Sequence, residues 1–151
     1  MKNGELDDDT ILILKPDQFY NALNIANRPP SVDCLIFVKC ADKQHYDLYL
    51  IELRGRHTGT KDLKFQDVSP KFKTVLGDFF DRFAHVFAEI EIGKITLLLI
   101  CNPYKCRSED DFTRRFLGTA MDAYGSQRIT VRNKKYPIQP DYPNKTHIHP
   151  C

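Results

Sequence analysis

The apolar positions of the chain follow two rhythms, one alternating or continuous and the other helical. A short run at 10 to 14 is stopped by Lys15-Pro16, and Phe19, Leu23 and Ala26 then recur as they would along a short helix, with Asp17 as its cap. Arg28-Pro29-Pro30 breaks the chain. The stretches 32 to 39 (VDCLIFVK) and 46 to 56 (YDLYLIELRGR) are rich in β-formers, and the short polar link between them predicts an antiparallel hairpin. Ser69-Pro70 reads as a cap with proline at the first helical position, and Phe72, Val75, Leu76, Phe79, Phe80, Phe83 and Phe87 predict an amphipathic helix over 70 to 88. The run 94 to 101 (KITLLLIC) is apolar on both faces, as a central strand requires.

Ser108 caps a second helix whose first turn carries Glu109, Asp110 and Asp111, and Gly125 is its expected stop. Residues 128 to 132 are expected to form a last edge strand. The prolines at 137, 140, 143 and 150 predict irregular chain beyond it. The order β, short α, β, β, α, β, α predicts an α/β fold with a mixed β-sheet and flanking helices.

With 151 residues, 42% of them hydrophobic, the chain suits a single domain and one core. Its organisation is expected to be an acidic, flexible N-terminus over 1 to 9, a core over 10 to 125 and a basic, proline-rich segment over 126 to 151. The first nine residues carry a net −3 and the last 26 a net +4, while the whole chain is only +2. That average excludes a strongly basic nucleic-acid binder but leaves room for a local phosphate-facing surface. No apolar run approaches the roughly 20 residues that cross a bilayer, and residues 1 to 9 are acidic where a secretory leader would be basic, so neither membrane nor export is expected. Five cysteines without a CxxC pair fit a reducing, cytoplasmic setting. His147, His149 and Cys151 offer three soft ligands where a closed zinc site takes four.

The hairpin carries the chemistry. Side chains alternate along a strand, so Glu52 and Arg54 share a face with Leu48 and Leu50. If the turn is centred between Asp42 and Lys43, Asp33 lies directly across from Glu52. Cross-strand neighbours have Cβ atoms about 4.5 to 5.5 Å apart, where two carboxylates repel unless something neutralises them. A divalent cation does this, and the flanking leucines argue against the alternative, a charge pair on an exposed sheet face. Arg54, on the same face, can orient a water or meet developing negative charge.

At these residues the sequence resembles the PD-(D/E)XK nuclease superfamily, through Pro30-Ser31-Val32-Asp33 and Ile51-Glu52-Leu53-Arg54-Gly55, followed by a helix and a strand in the family's order. The resemblance covers about residues 17 to 101. It implies a restriction-endonuclease-like core, Mg²⁺ (or Mn²⁺) held by Asp33, Glu52 and the Leu53 carbonyl, and Arg54 in the place of the family's lysine. It also implies a supporting role for Gln66, with an additional acid from Asp17 or from the segment 5 to 9. The partner implied is nucleic acid, DNA in the first place, with a homodimer as the form that cuts both strands. Arginine stays charged and clamps phosphate, whereas lysine can give up a proton. A nuclease fold that binds without cutting, with Arg54 paired to Asp33 or Glu52 and the stretch 136 to 142 docking a partner, is therefore the competing expectation.

Other candidates are weaker. His57 and His85 are single histidines, no glycine-rich phosphate loop occurs, and Ser108 and Ser126 lack a nucleophile-elbow context. Arg54, Arg56, Lys61 and Lys64 against Asp62 make the stretch after the hairpin a candidate phosphate-facing loop.

Overall fold

A computed structural model describes residues 10–40, 45–55, 63–117, 119, 122–143 and 148. The termini, the hairpin turn and most of the basic stretch after the hairpin, with His57, His147, His149 and Cys151, lie outside them. The elements are β1 (Ile11–Leu14), α1 (Pro16–Ala22), β2 (Cys34–Lys39), β3 (His45–Arg54), α2 (Phe65–Thr74), the short turns α3 (Phe80–Arg82) and α4 (Ala84–Phe87), β4 (Glu91–Cys101), α5 (Glu109–Phe116), β5 (Ile129–Val131), β6 (Lys134–Tyr136) and β7 (Ile138–Asp141). They form an α/β fold around a mixed five-stranded sheet in the order β1-β2-β3-β4-β7, beside a small β5-β6 hairpin.

The β-rich runs pair as their pattern predicts. β2 and β3 are antiparallel from Cys34↔Ile51 to Lys39↔Tyr46, the register expected from a turn centred between residues 42 and 43. β3 and β4 are parallel, because α2 and the turns after it carry the chain back to the start of the sheet between them. Alternation then places Leu35 and Phe37, Leu48 and Leu50, Leu97 and Leu99, and Ile138 on one face. Val68, Phe72, Val75, Leu76 and Phe79 join them in the core. Each such buried side chain contributes about 1.5–3 kcal/mol.

Four expectations need correction. The long helix starts at Phe65, not at Pro70, so Ser69 is buried inside it and Pro70 lies in its second turn. Lys64, in extended conformation, is its cap, and a π-helical segment, Val75–Phe79, widens the helix before it breaks into α3 and α4. α1 begins at Pro16, which has no N–H to leave unpaired, so Lys15 and not Asp17 is the cap. Ser108 does cap α5, its hydroxyl accepting from the Asp111 N–H at 3.2 Å, but this helix ends at Leu117 and a 3₁₀ turn, Asp122–Gly125, follows. Finally, the proline-rich end is partly regular. Arg132 and Asn133, both at positive φ, turn β5 into β6, and β7 joins β4 in parallel at the sheet edge, where Pro140 costs no pairing.

No helix among the described residues is long and apolar enough to cross a membrane.

Candidate metal and phosphate site

Glu52 and Arg54 lie at the carboxyl end of β3, beside the end of its parallel neighbour β4, and Asp33 sits one residue before β2. Ligand sites of open α/β sheets favour this edge. The Asp33 carboxylate crosses to the neighbouring strand and accepts the Leu53 N–H at 2.7 Å. A residue in an antiparallel ladder directs its N–H and C=O to the same neighbour, so the Leu53 carbonyl faces the Asp33 side too. The Leu53 side chain is exposed.

Glu52 is only 1% exposed. Its Oε1 accepts from Lys71 Nζ at 2.6 Å, and Arg54 Nε stands 3.0 Å from the same oxygen. The two contacts differ in kind. Lys71 makes a hydrogen bond, whereas the Arg54 Nε–H has no aligned acceptor and contributes charge without a bond. The other oxygen, Oε2, is buried with no hydrogen-bond partner among the described residues. A buried carboxylate oxygen in that state is costly unless something else occupies its lone pairs.

Burial is also the first reason that the Glu52 carboxyl is pushed above its ordinary range, with the Asp33 charge adding to it. The Lys71 hydrogen bond and the Lys71 and Arg54 charges pull the other way without prevailing. The coupling of Asp33 to Glu52 is the repulsion that two acids on adjoining strands should show. A second orphan among the described residues lies on α1. Asp17 Oδ1, in the first turn of α1, is buried and unpartnered, and Asp17 and Asp33 both help burial raise the Cys34 thiol.

Asp33, Glu52 and Arg54 are thus brought together, with the Leu53 backbone between them. Gln66 is not part of the group: it is exposed in the first turn of α2 and bonds to none of these side chains. Lys71 is the member that sequence reasoning missed. Three residues after Val68 and four before Val75, it borders the buried stripe of α2, and the turn before Pro70 adds the Val68 side of that stripe. Chemically the group offers two carboxylates with open oxygen lone pairs, a backbone carbonyl on the same side, one ammonium and one guanidinium. Hard divalent cations and phosphate are the ligands that this set suits.

Comparisons with protein-family models, with curated proteins and with solved structures find no match to this chain.

Proposed function

We propose that the chain is a metal-dependent, nuclease-like protein that hydrolyses phosphodiester bonds in DNA, on a restriction-endonuclease-like core and in a cytoplasmic setting. One observation carries the reading: the buried, unpartnered Oε2 of Glu52, beside a second acid that already repels it. Asp33 and Glu52 would hold Mg²⁺ or Mn²⁺, with the Leu53 carbonyl as a third donor and Asp17 as an outer acid. When bound, such an ion lowers the pKa of a coordinated water and offsets charge on the phosphate.

The chain's own cations divide the remaining work. Arg54 stays protonated and presents a planar fork, which suits it to clamp a phosphate oxygen. Lys71 is the group able to give up or take a proton near the attacking water, so it takes the place that Arg54 leaves open in the motif.

A second reading is favoured by the 2.6 Å and 3.0 Å contacts at Oε1. There, Lys71 and Arg54 neutralise Glu52 by themselves, and the protein binds nucleic acid or a partner without cutting. Cleavage of supercoiled DNA with and without Mg²⁺, alongside Mg²⁺ calorimetry, separates the two. The nuclease reading expects wild-type nicking that Asp33→Asn and Glu52→Gln abolish and that Arg54→Lys preserves or raises. Equal heats from all variants and no nicking would leave only the binding reading.

A further inference from the structure

The opposite end of the same hairpin gathers a different ligand set. Cys40 follows β2 and donates its backbone N–H to the His45 carbonyl at 3.0 Å, His45 opens β3, and Asp47 follows two residues on, on the same side of the strand. One ligand atom from each of the three side chains lies within 4.8 Å of the others. Cys40 and Asp47 are buried and His45 is half-buried.

Strand β4 is shaped around this group. The β3-β4 register shifts between Tyr46 and Leu48, so Asp47 sits at a bulge, a device that re-aims side chains. Its Oδ1 accepts the Lys94 N–H at 2.8 Å, which fixes the carboxylate and leaves the second oxygen to act. A Cβ at Gly93 would come 2.5 Å from His45 Cδ2 and 2.8 Å from Asp47 Oδ1, so only glycine lets both side chains approach β4 this closely. In this structure Cys40 is disulfide-bonded, which departs from the all-thiol expectation, while Cys34, Cys101 and Cys106 are free.

We propose that Cys40, His45 and Asp47 form a redox-gated site for a borderline-soft divalent cation of the zinc class. A dithiol reductant supplies two electrons and two protons to the Cys40 disulfide and leaves as a disulfide itself. The Cys40 thiol then releases its proton as its sulfur binds the ion, with His45 nitrogen, an Asp47 oxygen and a water completing four-coordination. Sulfur and imidazole ligands select this class of metal over Mg²⁺, so the two ends of the hairpin would hold different ions.

Cobalt(II), a coloured substitute for zinc, tests the proposal on the full chain before and after reduction with a phosphine. The expected result is a thiolate-to-cobalt charge-transfer band in the reduced protein that saturates at one equivalent and that zinc displaces, and no such band in the oxidised protein. Cys40→Ser should abolish the band, and His45→Gln should weaken binding about tenfold or more. The thiolate band does not arise from cobalt on carboxylates alone, which keeps this result separate from the nuclease reading. Circular dichroism of the variants checks that they fold. A band that survives in Cys40→Ser, an equal band in the oxidised protein, or no band in the reduced one would overturn the proposal.

Discussion

Two acids in this molecule each sit against two polar side chains, and they respond in opposite ways. Asp78 Oδ2 receives the Tyr20 hydroxyl at 2.5 Å and Arg82 Nε at 2.6 Å, and these bonds, Arg82 first, hold its carboxyl below the ordinary range. Glu52 receives Lys71 at 2.6 Å with Arg54 at 3.0 Å, yet its carboxyl is raised. Asp78 is 43% exposed and Glu52 1%. Desolvation therefore outweighs pairing at Glu52 and not at Asp78. The Tyr20–Asp78 bond ties α1 to the helical segment over the sheet, whereas burial of Glu52 works against its charged form.

The largest effect that would sharpen this contrast is on function. Glu52→Gln should lower Mg²⁺-dependent DNA cleavage about 100-fold or more, read by plasmid nicking, while leaving the thermal midpoint near pH 8 unchanged or higher. A variant that cleaves normally, or that unfolds, would make Glu52 a structural acid like Asp78. Next, Lys71→Met removes the only aligned donor among the described residues to a buried carboxylate. It should cost about 3 kcal/mol in urea unfolding at pH 8 and less as pH is lowered, because a protonated carboxyl no longer needs the ammonium.

The pH dependence of stability should separate the two acids by sign. Because the folded-state pKa of Glu52 is raised, the native state gains stability as pH falls through that value toward the unfolded one, about 4.3. The wild-type midpoint, taken relative to Glu52→Gln, should therefore rise as pH is lowered from 8 toward 5. Asp78, with its pKa depressed, contributes stability above the unfolded value of about 3.9, which is lost as pH falls through the folded one. Relative to Asp78→Asn, wild type should lose ground only below about pH 4. The smallest effect is Asp78→Asn itself at neutral pH, no more than about 1 kcal/mol for an exposed pair.

What could be read without coordinates follows the same physical division. The β2-β3 register was legible because β-formers flank a short polar link, and once one pair is set a strand leaves no freedom of face. Asp33 and Glu52 came with it. The Val68 side of the stripe that Lys71 borders was hidden by Pro70, whose preference for the first turn masks a helix that begins five residues earlier. β7 was hidden by Pro140, which an edge position tolerates although proline usually argues against a strand. Gln66 was proposed from its place in the chain order, and order alone does not turn a side chain toward the carboxylates.

The central claim is that Asp33 and Glu52 share a doubly charged ion. Anomalous scattering from crystals soaked in Mn²⁺ measures this most directly, without assuming a substrate. The account predicts one peak between the Asp33 carboxylate and Glu52 Oε2, absent from Glu52→Gln crystals. No peak there, with Glu52 still bonded to Lys71, would contradict it.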